Sequence, residues 1–381
     1  MSNNNVTPSE FFNPDTQVAH LGLIACPGAE ELANLIDGHL RTWAREVGIE
    51  KDTFIIECAC PRFQSGDAKG LVKESVRGDD IFFVVDPGNY SLTYNLFGQE
   101  NHMSPDDHFA NLKRLIQAVA GRAHRMTVIM PSLYGGRQHR RVARESLDCA
   151  VALQELQSMG VQNIITFDAH DPRLMNAVPL MSFDNVMPTY QVLKTLLRHM
   201  PELSFDKDSF IVISPDEGAI NRNMYFSSVL GCNLGMFYKR RDYTRVVNGR
   251  NPIVAHEYLG ESVEGKTVFI ADDIIASGES MLEVAGELKK RGAKHIIANA
   301  TFPLFTSGVD KFDEAVSAGI LTAVLGTNLT YRKQELLSRP WYFDVDCSKY
   351  CAYFVAAINH EMSVSSICDP IKKIEALLKN R

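Results

Sequence analysis

The cysteines of this chain show none of the spacings that a metal site or a disulfide framework requires. The 381-residue sequence has eight of them, scattered without a CxxC pair. Zinc sites use closely paired cysteines, and disulfide-stapled domains concentrate them in short chains. The sequence therefore supports neither, and we interpret most cysteines as small core residues in a reducing compartment.

Long apolar runs and an excess of positive charge are also missing. No stretch approaches the roughly 20 apolar residues of a membrane-spanning helix, and the polar start MSNNNVTPSE is unlike a secretory leader. With 39 basic and 46 acidic residues, the net charge of −7 gives no electrostatic reason to expect a nucleic-acid or membrane partner. We expect a cytoplasmic protein of two domains.

The most informative stretch lies between Thr267 and Gly292. An apolar segment typical of a buried strand runs into two adjacent carboxylates, Asp272 and Asp273, and the short loop 274–280 follows. A change from strand pattern to loop at a pair of acids predicts a functional edge of a sheet.

A helix is predicted directly after this loop. Ser280 with Glu283 has the form of a capping box, apolar residues then recur at helical spacing, and Gly292 is placed to end the helix. Residues 294–302 are typical of the next strand, so the unit is βαβ.

In such a unit the loop between strand and helix lies at the carboxyl end of the sheet, where open α/β folds bind ligands. Ser277 and Ser280 would add hydroxyl donors, and Gly278 would let the backbone approach an anion. Asp272 and Asp273 are acceptors suited to two sugar hydroxyls or to hydrated Mg²⁺. The loop therefore favours a phosphate cradle, and the alternative is an ordinary βα turn with solvated acids.

Basic residues cluster in one loop against the acidic background. Gly135 and Gly136 follow a predicted strand and precede Arg137 and Gln138. This order favours a hinged cover over a polyphosphate, with the arginine as a bidentate donor. The alternative is a solvated helix start.

Polar residues follow two further predicted strands. Asp168 and His170 stand where they can ligate Mg²⁺ or order its waters, but the residues alone favour the alternative of a histidine satisfied by a neighbouring carboxylate. The strand 210–213 leads into the glycine-containing turn 214–219, whose N–H groups suit an anion and whose Asp216 suits Mg²⁺.

A predicted strand at 234–238 ends in three basic residues. Lys239 and Arg241 occupy alternate positions of an extended segment, which predicts that their side chains point the same way. The alternative is a solvated strand end. We interpret residues 242–260 as a polar loop.

Five segments together resemble one family. Residues 137–138, 168–170, 214–218, 239–241 and 268–280 fall in the order and rough spacing of the motifs of ribose-phosphate pyrophosphokinases, and the last resembles the ribose-5-phosphate fingerprint of the type I phosphoribosyltransferase fold. The similarity runs from about residue 60 to residue 369.

The resemblance implies an α/β fold of two tandem phosphoribosyltransferase-like domains, each a mostly parallel sheet flanked by helices. It places an ATP-binding pyrophosphokinase domain at residues 18–178 and a ribose-5-phosphate domain at residues 179–368. Residues 1 to about 17 are expected to form a mobile arm or a subunit-contact extension.

The resemblance also implies the chemistry. Members of this family transfer the pyrophosphoryl group of ATP to the C1 hydroxyl of ribose 5-phosphate with Mg²⁺ as cofactor, giving phosphoribosyl pyrophosphate and AMP, and they work as dimers or hexamers. The residues implied are Lys239 and Arg241 for catalysis; Phe63, Ser65, Asp67, Arg137, Gln138 and His139 for ATP; Asp216, Glu217 and Gly218 for the pyrophosphate loop; Asp168, His170 and Asp216 for the metal; and Asp272, Asp273, Ala276, Ser277, Gly278, Glu279 and Ser280 for ribose 5-phosphate.

The sequence departs from the family pattern at several of these positions. Ser65 and Asp67 stand where the family usually has Asp and Glu, and His139 replaces an acidic residue. Asp171 follows His170 in place of a small residue. Glu279 brings a carboxylate to the phosphate loop, where it must point outward to avoid repulsion.

Two rival functions follow from these departures. One is a non-catalytic regulatory relative that binds nucleotide or associates with a true synthetase. Such a relative would tolerate an altered hairpin around Ser65 and an altered lid around His139. It would also tolerate the long insertion 87–105, which is typical of a partner contact. A phosphoribosyltransferase that consumes the product is disfavoured, because it has no need of a second domain with an ATP lid.

Overall fold

The structure is a computed structural model that describes residues 12, 14–141, 143–241 and 253–379, apart from the side chains of residues 14, 239–241 and 253–256. The chain divides into two compact units. The first holds the described residues of Met1–Pro188 with Asn328–Tyr331 and Asp346–Pro370, and the second holds those of Thr189–Thr327, Arg332–Val345 and Ile371–Arg381.

The strands lie mostly in one large sheet for each unit. The strands of the first unit are β1 (Leu21–Ala25), β2 (Cys58–Ala59), β3 (Leu71–Val72), β4 (Asp80–Val84), β5 (Thr93–Leu96), β6 (Gln99–His102), β7 (Arg125–Ile129), β8 (Asn163–Phe167) and β9 (Ser182–Val186). The strands of the second unit are β10 (Phe210–Ser214), β11 (Asn233–Arg241), β12 (Ile253–Leu259), β13 (Thr267–Ile275), β14 (His295–Pro303), β15 (Ala323–Thr327) and β16 (Tyr342–Val345).

The helices follow the strands in βα order over most of the chain. They are α1 (Glu30–Glu46), α2 (Pro105–Val119), α3 (Asp148–Ser158), α4 (Thr189–His199), α5 (Ile220–Leu230), α6 (Glu279–Lys290), α7 (Asp310–Ser317), α8 (Gln334–Leu337), α9 (Ser348–Asn359), α10 (Ser365–Cys368) and α11 (Ile371–Lys379). No helix among the described residues is both long enough and apolar enough to span a membrane.

The main sheet of the first unit has the order β1-β4-β7-β8-β9, and every neighbouring pair is parallel. Its strands β1, β4, β7 and β8 are mostly apolar and buried on both faces, as parallel strands between helices must be, whereas the edge strand β9 is more polar and partly exposed. Because β7 and β8 are neighbours, the loops that leave their carboxyl ends emerge side by side. The predicted cover with Arg137 and Gln138, here called the lid segment, follows β7. The segment with Asp168 and His170 follows β8.

The main sheet of the second unit has the order β12-β11-β10-β13-β14-β15-β16. All neighbours are parallel except β11 and β12, which pair antiparallel at one edge. The interpretation of residues 242–260 as a loop was therefore wrong for β12. Since β10 and β13 are neighbours, the loop with Asp216 and the strand end with Asp272 and Asp273 lie at the same edge of the sheet. The expected fold of two α/β domains with mostly parallel sheets is confirmed.

The division between the units differs from the predicted boundary of 178/179. Strand β9 hydrogen-bonds to β8 and so completes the first sheet, which moves the boundary to Pro188. The chain also returns to the first unit through α9 and α10. Sequence pattern could not assign this return, because it depends on helix packing and on pairing between distant residues such as Asp80 and Asn359, which are 279 positions apart.

Helix α9 packs on α1, and the Trp43 and Tyr353 rings stack with centroids 4.8 Å apart. At the end of α9, the buried Asn359 donates to the carboxylate of Asp80 (Nδ2 to Oδ2, 2.9 Å). The same carboxylate accepts two hydrogen bonds from Arg125, at 2.9 and 2.6 Å. A buried charge is stable only when it is paired and hydrogen-bonded, so this network fixes the returning helix to the sheet.

Residues 12 and 14–17 belong to the same region, although we expected an arm there. Phe12 is buried, with its ring centroid 5.9 Å from Phe54 and 5.3 Å from His360. Val18 donates its backbone N–H to Asn359 at 2.9 Å. Residues 1–11 and 13 lie outside the described part of the chain.

We expect Asn359→Ala to destabilise the first unit by about 1–3 kcal/mol, the usual cost of leaving buried polar groups unsatisfied. The substitution removes donors to Asp80 and to the Ala19 carbonyl, the latter at 3.1 Å. Urea unfolding followed by the fluorescence of Trp43, which stacks on α9, measures the effect.

Asn176→Ala is the matched control, since Asn176 is exposed and the same atoms are deleted. It should change the unfolding midpoint little. Equal midpoints for the two variants would contradict the structural role given to Asn359.

Candidate active site

The loop between β10 and α5 is organised by the carboxylate of Asp216. Its Oδ1 accepts from the backbone N–H groups of Gly218 (2.9 Å) and Ala219 (3.1 Å), and its carbonyl accepts from the Ser214 hydroxyl at 2.7 Å. Two amides that the sequence offers to pyrophosphate are therefore already donating to an anionic oxygen. The carboxylate marks the position where an anion is accepted at this helix start.

A buried amide joins this loop to the neighbouring strand. Asn223, in the first turn of α5, donates its Nδ2 to the carbonyls of Ala219 (2.8 Å) and Ala271 (2.7 Å). Its Oδ1 accepts from the Ala271 N–H at 3.1 Å. The amide thus fixes the spacing between the Asp216 loop and the part of β13 that immediately precedes Asp272.

Asp272 and Asp273 lie inside β13, because the strand continues to Ile275 instead of ending at Ala271 as predicted. The Asp272 Oδ1 accepts from the Asp273 N–H at 2.9 Å. The Arg222 guanidinium lies 3.5 Å from the Asp272 carboxylate and 3.9 Å from that of Asp273. One arginine therefore faces two carboxylates in this part of the fold.

The charge in this cluster remains negative, and this affects protonation. Burial raises the pKa of the Asp272 carboxyl, the charge of Asp273 raises it further, and Arg222 offsets only part of the effect; Asp216 adds to the rise. Such a group gains from any ligand that supplies positive charge or hydroxyl donors. Sugar hydroxyls and a hydrated cation both meet this requirement.

The loop after β13 has a different helix cap from the predicted one. Gly278, with φ 81°, is the N-cap, α6 begins at Glu279, and no side chain caps it. The capping box predicted at Ser280 was therefore wrong. A Cβ on Gly278 would lie 2.3 Å from the ring of Phe312, which is fully buried, so both the dihedral angle and the neighbour require glycine.

The other residues of this loop surround the free end of the helix. Ser277 accepts weakly from the Glu279 N–H, at 3.5 Å, and the Ala276 carbonyl accepts from the Thr306 N–H at 2.9 Å. Ser280 is exposed in the first turn of α6. The start of a helix of this length offers N–H groups and a positive dipole end, which suits a phosphate.

Glu279 is directed away from that anion position. Its carboxylate pairs with the Lys311 ammonium of α7 at 2.7 Å, and this contact lowers the pKa of Glu279. Both side chains are more than half exposed. The condition that Glu279 must point outward is thus met by a lysine more than 30 positions along the chain.

Lys239 and Arg241 end strand β11, but their side chains lie outside the described part of the structure. The pairing register with β12 shifts between Arg240 and Arg241. The residue left over by this shift lies on β12, because Arg240 and Arg241 face Ala255 and Ile253. The common direction of the Lys239 and Arg241 side chains therefore stays a prediction. Their catalytic roles stay predictions.

In the first unit, the lid segment begins with a tight turn. Gln138 donates its N–H to the Gly135 carbonyl at 2.8 Å, and Gly135 has φ 65°. Arg137 and Gln138 are exposed beyond this turn. The position suits side chains that bind a ligand from solvent.

The residue that replaces the family's acid in the lid has a partner on the next loop. His139 lies 2.9 Å (Nδ1 to Oδ2) from Asp171, and its ring centroid is 5.3 Å from that of His170. Arg173 donates to the same carboxylate at 2.7 Å, and these hydrogen bonds hold the pKa of Asp171 well below its usual value. Two departures from the family pattern, His139 and Asp171, therefore contact each other.

The predicted metal residues of this unit lie at the end of β8. Asp168 is buried with φ 43°, a strained region for a non-glycine residue, and His170 is exposed two positions later. Among the described residues, no group of three or more His, Cys, Asp or Glu side chains is close enough to hold a metal ion.

The predicted adenine loop forms the tip of the β2–β3 hairpin. Phe63 is 55% exposed, and its N–H donates to the Asp67 carbonyl at 2.7 Å. The Ser65 hydroxyl donates to the Asp67 carboxylate at 2.8 Å. An exposed ring beside a hydroxyl–carboxylate pair can stack on a base and accept from its amine.

The structure thus assembles residues that the sequence suggested and three that it did not. Asn223, Arg222 and Asp171 were given no role. Asn223 had a recognisable signal, because it occupies the helical face of Phe226 and Leu230, where an apolar residue is expected. Arg222 and Asp171 had none, since Arg222 pairs with acids of β13 and Asp171 contacts His139 after β7, both distant in sequence.

Two family models match the chain in tandem. The N-terminal domain of ribose phosphate pyrophosphokinase matches residues 21–160, and the phosphoribosyl transferase domain matches residues 185–305. The two matches fall on the first and the second unit respectively.

Curated relatives carry one name. The ribose-phosphate pyrophosphokinase of Burkholderia pseudomallei is 29% identical over 283 residues, covering 73% of this chain and 79% of the relative. That of Vibrio parahaemolyticus is 26% identical over 317 residues, covering 82% and 90%. The crystal structure of phosphoribosylpyrophosphate synthetase from Mycobacterium smegmatis shares the fold, with a TM-score of 0.70 at 21% identity, covering 90% of this chain and 99% of that one.

We expect Gly278→Ala to weaken both the fold of the second unit and phosphate binding. A left-handed alanine costs about 1–2 kcal/mol, and the new methyl group would have to displace the Phe312 ring, 2.3 Å away. Thermal unfolding and calorimetric titration with ribose 5-phosphate measure the two effects.

Gly286→Ala, in the middle of the same helix, is the matched control. A methyl group there meets nothing within 4 Å, and replacing a helix-interior glycine with alanine should stabilise by about 0.5–1 kcal/mol. If both variants bind ribose 5-phosphate equally well, Gly278 has no part in the cradle.

Proposed function

Because this chain belongs to the ribose-phosphate pyrophosphokinase family, we propose that it transfers the β,γ-pyrophosphoryl group of ATP to the C1 hydroxyl of ribose 5-phosphate, giving phosphoribosyl pyrophosphate and AMP. The observation that carries the proposal is the carboxylate pair on β13, which runs into a glycine-capped helix start in the unit that matches the phosphoribosyl transferase domain.

The second unit would bind ribose 5-phosphate. The N–H groups of residues 277–280 receive the 5-phosphate at the positive end of α6. Asp272 and Asp273 accept from the ribose hydroxyls, which relieves the excess negative charge beside Arg222. The outward direction of Glu279 leaves the phosphate position without a facing carboxylate.

The first unit would bind ATP. Phe63 stacks on the base, and Arg137 and Gln138 donate to the polyphosphate from the turn after β7. The contact between His139 and Asp171 joins the lid segment to the loop that carries His170. The lid and the loop after β8 would therefore act as one surface.

In the transfer step, the C1 hydroxyl oxygen forms a bond to the β-phosphorus of ATP and releases its proton to solvent. The bond from that phosphorus to the oxygen it shares with the α-phosphorus breaks, and AMP leaves with that oxygen. Charge spreads over phosphate oxygens in such a transition state, so the protein mainly positions and neutralises. Lys239 and Arg241 are the residues proposed for this role.

The carboxylates of the two candidate sites fit Mg²⁺ as cofactor. Mg²⁺ keeps several waters and needs only one or two protein carboxylates beside substrate phosphates, which Asp272 and Asp273 on β13 or Asp216 on the neighbouring loop can supply. His170 and Asp168 are the corresponding candidates in the first unit. When bound, the ion would neutralise phosphate charge.

The proposal extends to assembly and place of action. The family resemblance supports a homo-oligomer, a dimer or a hexamer, that acts in the cytoplasm on small-molecule substrates without a nucleic-acid or membrane partner.

We expect the purified protein to form AMP and phosphoribosyl pyrophosphate from ATP, Mg²⁺ and ribose 5-phosphate, with both products in equal amounts. Chromatography of the nucleotides with ³¹P detection of the pyrophosphate ester measures this. Omitting ribose 5-phosphate should abolish AMP formation. ATP binding without AMP would identify a regulatory relative, and consumption of phosphoribosyl pyrophosphate with a free base would identify a phosphoribosyltransferase.

We expect Lys239→Ala and Arg241→Ala each to lower kcat on the order of 10²-fold or more, with a smaller effect on KM, because the lost charges act mainly on the transition state. Lys290→Ala is the control, since it removes the same charge from the exposed end of α6. A Lys239→Ala enzyme with near-normal kcat would remove that residue from the mechanism.

A further inference from the structure

The hairpin β5–β6 lies within the insertion 87–105 and packs against the loop that carries Phe63. Tyr94 and Leu96, two apart on β5, share its half-buried face. The Tyr94 ring centroid is 3.9 Å from the Arg62 guanidinium carbon. Leu96 Cδ1 fills the space beside Gly66, 2.7 Å from where a Cβ would stand.

Arg62 transmits this contact to the turn. Its guanidinium donates to the Gly66 carbonyl at 3.0 Å and pairs with Asp107 at 3.1 Å. Asp107 is in turn fixed by the capping box of α2, where it bonds Ser104. One arginine therefore joins the tip of the Phe63 loop, the inserted hairpin and the start of a helix.

The Phe63 loop needs such support. Its hairpin pairs two residues of β2 with two of β3 and adds one bridge between Arg62 and Ala68, and a two-stranded hairpin this short is at best marginally stable by itself. The loop turns through Gly66 at φ 94° and exposes Phe63. A ring that must be ordered when a ligand binds weakens binding, whereas a ring held in place beforehand does not.

We propose that the inserted hairpin β5–β6 is an internal brace: Tyr94 and Leu96 act as positioning residues that hold Arg62 and Gly66, and through them Phe63, in the conformation that receives the nucleotide base. This rests on the proposed function, in which Phe63 stacks on the base of ATP. It assigns a role to an insertion that the family pattern lacks.

We expect Tyr94→Leu to raise KM for ATP by about 10-fold, which corresponds to about 1.4 kcal/mol, while kcat and KM for ribose 5-phosphate change by less than about 2-fold. Leucine keeps apolar bulk but removes the aromatic face that the guanidinium contacts. Tyr94→Phe keeps that face and should restore the ATP KM.

Phe97→Asn is the matched control from the same hairpin. Phe97 is 83% exposed at the tip with φ 51°, a conformation that asparagine tolerates. This variant should leave both KM values unchanged.

Inhibition by AMP and by tripolyphosphate separates a brace from a general defect, because AMP carries the base and tripolyphosphate carries only phosphates. The Tyr94→Leu enzyme should bind AMP more weakly and tripolyphosphate normally. Equal weakening of the two inhibitors would overturn the proposal.

Hydrogen exchange gives a readout that does not need activity. The N–H groups of Phe63 and Gly66 are bonded within the loop, so they should exchange faster in Tyr94→Leu than in the wild type, while amides in the middle of α2 stay unchanged. Unchanged exchange in an active enzyme would overturn the brace alone. A wild type that neither binds ATP nor forms AMP would overturn the proposed function, and the base-positioning role with it.

Discussion

The second unit depends on one buried side-chain amide, that of Asn223. It bonds the Ala219 carbonyl and both backbone groups of Ala271, so the start of α5 and the middle of β13 are held by a single group. Buried amides are costly unless every donor and acceptor is paired, and here the pairing is what fixes the spacing of two ligand loops. Asp216 on one side and Asp272 on the other inherit their positions from this contact.

The positions that depart from the family pattern are each supported by a partner. His139 contacts Asp171, Glu279 contacts Lys311, and Ser65 contacts Asp67. In each case the departing side chain has a hydrogen-bonding or ionic partner nearby. The departures therefore form local pairs, which is the pattern expected when a site keeps its task and changes its contacts.

Local patterns predicted several strands of both main sheets and the loops that follow them. Many of the candidate site residues came from the family resemblance, and their roles stay predictions. Local patterns failed where a distant residue decides the local structure. Ser280 has sequence neighbours typical of an N-cap. The N-cap is nevertheless Gly278, where the nearby Phe312 ring leaves room only for glycine. Residues 253–259 form strand β12 because they pair with β11. Strand β9 completes the first sheet because it pairs with β8. The packing of α9 in the first unit depends on the hydrogen bond between Asn359 and Asp80, which are far apart in sequence.

The return of residues 346–370 to the first unit has a consequence for biosynthesis. A ribosome that adds about 5–20 residues per second needs roughly 10–35 seconds to travel from residue 188 to residue 370. During that interval the Asp80–Arg125 pair lacks Asn359, and the face of α1 that carries Trp43 has no α9 to cover it. The nascent first unit therefore cannot complete its fold, and keeps apolar surface exposed, until the second unit has been translated. Co-translational chaperones have their clearest opportunity to bind in that period.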